Sequence, residues 1–169
     1  MPLLPPIGAE IPCSILAIGT TIEYKGTTFT VDFRGGIKHR VDVNPNDPIN
    51  SVKLRTIGFK VSAEGPDGMT FTIEQNDIDV DAKSLLRITQ SAPPKFEHLD
   101  YESFTLTIEK SGDPVILTTY GPMVQVSSLT QFPPKGDTYK LQNPVELFDP
   151  ETEKVVAVIT GFDSKRGGL

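Results

Sequence analysis

Two histidines, one cysteine and four tyrosines are the residues of this chain best suited to move a proton, attack an electrophile or anchor a ligand. His39 stands out, because strand alternation in Ile37-Lys38-His39-Arg40-Val41 puts it on the face of Ile37, Val41 and Val43. An imidazole pointing into an apolar interior can act as a general base or hold the polar group of a ligand. The plainer reading is a core histidine satisfied by a neighbouring hydroxyl or carbonyl, and it is favoured. No residue is therefore assigned a catalytic role.

The other histidine, His98, lies in Phe96-Glu97-His98-Leu99-Asp100-Tyr101-Glu102. Nearby carboxylates favour the charged imidazole, which suits acid–base work, but such a mixture reads more simply as an exposed loop. Asn76-Asp77-Ile78-Asp79-Val80-Asp81 resembles the opening of a calcium loop. It fails at the sixth position, Ala82 instead of glycine, and at the twelfth, Ile88 instead of a bidentate glutamate. A solvated strand face is expected there. One cysteine and two distant histidines supply no zinc-ligand spacing, so no metal is expected. Cys13, among Ile11, Ile15 and Leu16, reads as a buried, inert thiol.

No nucleophile elbow, phosphate-cradling loop or dinucleotide fingerprint is present, and Gly65-Pro66-Asp67-Gly68 is a turn. No cofactor is expected. Tyr24, Tyr101, Tyr120 and Tyr139, with several phenylalanines, offer the aromatic surface an apolar pocket would use. His39, Tyr24, Tyr101 and Tyr120 form the candidate ligand-binding set. Tyr120 belongs to it because it ends an alternating run just before Gly121-Pro122.

Strands must position these groups. Thr, Ile and Val number 17, 14 and 13 against 6 Ala, a bias towards pleated sheet because branched side chains lose freedom in a helix. Alternation is clean in Phe29-Val31-Phe33, Met69-Phe71-Ile73 and Phe104-Leu106-Ile108. Ser111-Gly112-Asp113-Pro114 and Asp149-Pro150-Glu151-Thr152 read as hairpin loops, and Arg34-Gly35-Gly36 as a three-residue hairpin pairing Phe33 with Ile37. The apolar phase slips between Leu54 and Ile57, which predicts a bulge near Thr56. Val155 to Ile159 is apolar on both faces and should be paired on both edges. Helix is expected to be scarce, with 95–104 and 82–87 as its candidate turns.

The expected fold is all-β: a single antiparallel barrel or strongly twisted sandwich of roughly nine to eleven strands. The 169 residues form one domain, with 1–10 and 164–169 as flexible or draped ends. A net charge of −6 without a basic cluster argues against nucleic acid. No apolar run approaches the roughly 18 residues that span a bilayer. The single cysteine and the absence of a signal-like amino terminus point to a cytoplasmic protein. Two expectations about function follow. The first is binding of a largely apolar small molecule in a barrel pocket, by a carrier or a cofactor-free cyclase or isomerase. Its warrant is fold-level analogy to small β-barrels of bacterial natural-product metabolism. The alternative is a structural or protein-binding β domain with no small-molecule site. A homodimer is compatible with either.

Overall fold

The computed structural model describes residues 4–76, 78 and 83–167. The strands are β1 (Glu10–Tyr24), β2 (Thr27–Val43), β3 (Ser51–Glu64), β4 (Thr70–Gln75), β5 (Leu85–Ser91), β6 (Pro94–Glu102) and β7 (Phe104–Lys110). They continue with β8 (Asp113–Thr119), β9 (Met123–Leu129), β10 (Asp137–Leu141), β11 (Val145–Asp149), β12 (Lys154–Gly161) and β13 (Ser164–Arg166). All belong to one antiparallel sheet of 13 strands in the order β12-β11-β8-β7-β4-β3-β2-β1-β13-β10-β9-β6-β5. The all-β, antiparallel expectation holds, with more strands than expected. Two of the extra strands come from segments read otherwise. Residues 95–104, a candidate helical turn, form β6 and the start of β7, and Ser164–Arg166, expected in a draped end, pair between β1 and β10.

Two further pairings, β1 with β12 and β3 with β5, close this sheet on itself twice. A first ring runs through β1, β2, β3, β4, β7, β8, β11 and β12. A second runs through β1, β2, β3, β5, β6, β9, β10 and β13. The three shared strands are the longest in the molecule, because each must serve one ring with one half and the other ring with the other half. β1 pairs with β13 at Ile15 and Leu16 and with β12 from Thr21 onwards. β3 pairs with β5 at Ser51 to Lys53 and with β4 from Lys60 onwards.

A strand that changes partners must bend. The register of β1 shifts between Ala17 and Thr20, where Gly19 takes a φ of +70°. In β3 the bulge lies at Ile57, between Thr56 opposite His39 and Gly58 opposite Lys38, as the phase slip near Thr56 predicts. β2 passes between them without turning. Arg34-Gly35-Gly36 is therefore not a hairpin: Gly35 sits opposite Ile15 on one side and Val61 on the other. A Cβ there would lie 2.0 Å from the Lys60 carbonyl oxygen, so this glycine serves close backbone approach. The hairpin at Ser111-Gly112 is as expected, with both residues at positive φ between Lys110 and Asp113. β12 is paired on both edges, again as expected.

Each ring has its own apolar filling. Ile15, Phe33, Phe71, Phe104, Leu106, Leu117, Leu147 and Ile159 belong to the first core. Val41, Val52, Leu54, Leu86, Phe96, Leu129 and Tyr139 form the second. The aspartate run at 77–81 lies outside the described residues, Ile78 apart.

Candidate functional site

Between the two cores lies a buried polar layer, and four chain segments lead into it from both sides. On β2 the inward residues run Ile37, His39, Val41: first core, layer, second core. β3 gives Leu54, then Thr56, then Phe59 across the bulge. β6 gives Phe96, His98, Asp100 and Glu102 before Phe104 opens β7, and β9 gives Met123, Gln125, Ser127 and Leu129. Tyr139 of β10 and Ser164 and Arg166 of β13 complete it. All of these polar side chains are buried, Arg166 to 1% exposure.

The layer is tied by charge-assisted bonds. Arg166 Nη2 donates to Asp100 Oδ2 at 2.5 Å and to Gln125 Oε1 at 2.8 Å. Its guanidinium lies over the Tyr139 ring, 4.0 Å from the centroid. Gln125 Nε2 donates to the Phe162 carbonyl at 2.7 Å and to Ser164 Oγ at 3.2 Å. Thr56 Oγ1 donates to Glu102 Oε2 at 2.6 Å and lies 3.2 Å from His39 Nδ1. A hydroxyl has one proton, so the Thr56 oxygen accepts from His39 Nδ1–H, and the proton of His39 is thereby fixed on Nδ1. His98 Nδ1 is hydrogen-bonded to the Tyr139 hydroxyl. The two imidazoles meet edge to face with centroids 5.4 Å apart.

Burial decides which of these groups carry charge. It lowers the pKa of His39 to about 4 and that of His98 well below the usual imidazole value, so both are neutral at pH 7. Burial also acts against ionisation of Asp100. The Arg166 guanidinium, the Glu102 proton and the two imidazoles together outweigh it, and Asp100 stays a carboxylate with its pKa below the ordinary range. Glu102 goes the other way: burial, then the Asp100 charge beside it, raise its pKa well above the ordinary carboxyl value. Asp100 and Glu102 lie close enough to interact through one proton, although no hydrogen bond of regular geometry reaches Asp100 Oδ1. A neutral base, a protonated acid and an Arg–Asp ion pair thus share one enclosure, an arrangement suited to moving protons within a bound molecule.

Five atoms of the layer have no hydrogen-bond partner in the protein: His39 Nε2, His98 Nε2, Asp100 Oδ1, Arg166 Nε and Arg166 Nη1. Leaving such a group unsatisfied costs about 1–3 kcal/mol.

Of the candidate set read from sequence, His39 lies in this layer and the three tyrosines do not. Tyr101 has the outward parity of β6, beside Lys83. Tyr24 ends β1 against the first core, and Tyr120 is 73% exposed, edge to face with Phe148. His98, expected in an exposed loop, is buried on β6, because its alternation with Glu97 and Leu99 is strand alternation. Sequence reasoning also missed Thr56, Asp100, Glu102, Gln125 and Arg166 as site residues, and it counted Tyr139 as aromatic pocket surface without placing it in the candidate set. The parity of Phe96, His98, Asp100 and Glu102 was the available signal for three of these four inward residues, whereas nothing near Arg166 marks it. Cys13 is buried and its thiol pKa is raised by that burial, in keeping with the inert reading. A surface groove of about 720 Å³ is lined by Thr30, Asp32, Arg34, Ser62, Glu64 and neighbours, none of them in the polar layer.

Among the described residues no helix is long and apolar enough to cross a membrane. No protein-family model matches the chain, and a search of curated proteins finds no match. Among solved structures the fold is similar to that of DynF from the dynemicin biosynthesis pathway of Micromonospora chersina. The TM-score is 0.76 at 18% identity, covering 100% of this chain and 84% of the other. At that identity the likeness is one of fold, and it extends over the whole twice-closed sheet.

Proposed function

We propose that the second ring binds a small molecule with a largely apolar body, whose polar group is met by the layer of His39, His98, Asp100 and Arg166. The observation that carries this reading is the set of five unpaired polar atoms between two apolar cores. A purely structural network gains from satisfying its members, whereas a recognition site keeps some of them for its ligand. The fold likeness to a protein of a natural-product pathway supports a ligand of that general kind. Where the molecule is converted as well as carried, neutral His39 is the base and protonated Glu102 the acid. Such an isomerisation or cyclisation needs no nucleotide or flavin, and the ring walls hold the reactive conformer. Native mass spectrometry of the untagged protein tests the reading. A co-purified organic mass that is lost on denaturation, and is reduced in His39→Ala, is expected. A clean polypeptide mass from cells of the source organism, with no ligand retained from a panel of apolar small molecules that carry one polar group, overturns it.

A second reading, a protein-binding domain, is favoured by a different feature. Ile116, Phe148 and Val155 lie on neighbouring strands β8, β11 and β12 of the first ring, with Tyr120 beside Phe148. Ile116 is 55% and Val155 43% exposed. An apolar patch of this kind suits contact with another protein surface, a second copy included. Sedimentation of the wild type against Ile116→Ser distinguishes the two: a dimer that dissociates on substitution supports the contact, and a monomer in both removes it.

A further inference from the structure

We propose that His39, His98 and Asp100 form a binding site for a divalent transition-metal ion such as Zn2+, Co2+ or Fe2+. One donor atom from each of the three buried side chains lies within 4.8 Å of the others. Tetrahedral bonds of about 2.1 Å set ligand atoms about 3.4 Å apart, so the set closes on an ion when side-chain rotation draws its widest pair in by about an ångström. Two imidazoles and one carboxylate suit a borderline transition metal. Calcium and magnesium call for a shell of oxygens, and a soft ion calls for thiolate.

A second observation separates this trio from a chance meeting of polar groups. Each of the three has one polar atom engaged by a neighbour and the other without a protein partner. His39 Nδ1 is held by Thr56 Oγ1, and Nε2 is free. His98 Nδ1 is held by the Tyr139 hydroxyl, and Nε2 is free. Asp100 Oδ2 is held by Arg166, and Oδ1 has no regular hydrogen bond. Metal-binding imidazoles and carboxylates are oriented in this way: the far atom is fixed by an outer partner, which sets the tautomer and aims the near atom at the ion. The Thr56 contact already places the proton of His39 on Nδ1, which leaves a lone pair on Nε2. The three residues stand on only two strands, with His98 and Asp100 two apart on the inward face of β6 and His39 on β2. The ligands are thus carried by paired backbone, as a defined geometry requires.

Arg166 is the feature that opposes a cation. Its charge is answered by Asp100, its Nη2 is committed to Asp100 and Gln125, and its plane is stacked on Tyr139. The carboxyl of Glu102 adjoins the same carboxylate and is held neutral by burial and by the Asp100 charge, so it brings an oxygen beside that carboxylate and no positive charge against the ion.

The ion would take three of the five unpaired atoms that the small-molecule reading gives to its ligand's polar group, so the two are different occupants of one layer, told apart because this test reads bound metal and the other a bound organic mass. The test uses the untagged full chain, stripped with chelator and then supplied with Co2+ or Zn2+ both when folded and during refolding. A single equivalent of Co2+ with visible d–d bands, displaced by Zn2+, is expected, together with a rise in Tm on adding Zn2+. X-ray absorption of the zinc-loaded wild type is expected to show imidazole and oxygen scatterers and no sulfur. His39→Gln, His98→Gln and Asp100→Asn each abolish the bands. Thr56→Val, which removes the partner of His39 Nδ1 together with the hydrogen bond to Glu102 and leaves all three ligands in place, weakens Zn2+ by about 10- to 100-fold. The proposal is overturned by a folded wild type without bands or Tm shift, by binding that survives the ligand substitutions in folded variants, or by sulfur or imidazole-free coordination. The absorption measurement needs no variant, so misfolding of the mutants does not protect the idea. None of these outcomes bears on whether an organic mass co-purifies.

Discussion

Arg166 and Asp100, 66 residues apart in the chain, are joined at 2.5 Å with both side chains nearly inaccessible. The bond ties β13 to β6 across the second ring, although those strands are not neighbours in the sheet. Removing one partner leaves the other as a buried, uncompensated charge. Arg166→Met or Asp100→Leu is expected to cost about 3–5 kcal/mol in urea unfolding, and the double variant distinctly less than the sum. Additive losses would show that the pair is not coupled.

The layer also sets a pH optimum for stability. His39, with a folded pKa of about 4 against 6.5, contributes stability that is present above pH 6.5 and lost as pH falls through about 4, worth about 3 kcal/mol over that window. His98 acts in the same direction. Glu102 has a raised folded pKa, so its contribution is full below pH 4.5 and lost as pH rises. Asp100, held ionised, adds a loss only below about pH 4. Two histidines against one glutamate give a net fall on the acid side of 6.5 and a fall of similar slope on the alkaline side, which ends once pH passes the raised pKa of Glu102. Chemical denaturation of the metal-free protein from pH 4.5 to 9 should peak near pH 6.5. Glu102→Gln, which keeps an acceptor for Thr56 and a donor towards Asp100, should flatten the alkaline limb and steepen the acid one. An unchanged profile in that variant would refute the assignment.

The Tyr139 hydroxyl serves His98 alone among the hydrogen bonds of the described residues, while its ring carries Arg166. Tyr139→Phe keeps the stacking and strands His98 Nδ1, so a loss of about 1–3 kcal/mol is expected. The 15N shifts of His98 should report the altered tautomer, and a His98 spectrum identical to wild type would remove the contact.

Two glycines of the shared strands make opposite predictions. Gly35→Ala drives a Cβ to 2.0 Å from Lys60 O and 2.7 Å from Val61 Cα, both backbone, and should cost about 3 kcal/mol or fail to fold. Gly58→Ala meets only Lys38 Cβ at 3.9 Å and should stay within about 0.5 kcal/mol of wild type. Equal melting temperatures for the two variants would contradict the close approach of β2 and β3.

Sequence by itself determined what period-two alternation and turn chemistry encode. These are the all-β class, the Ser111-Gly112 hairpin, the bulge near Thr56 and the inward parity of His39, all properties of neighbouring residues along one strand. Parity gives a face and not a partner. The hairpin expected at Gly35 failed because the same two glycines serve a tight turn or a close crossing of straight strands, and only the presence of β1 and β3 on either side decides between them. The tertiary structure alone decided that His39 meets His98, and that Arg166 lies under Tyr139 instead of in solvent. A charge near the chain's end is stable in the interior only where a distant strand supplies its counter-charge. That long-range pairing leaves no periodic trace in the residues around it.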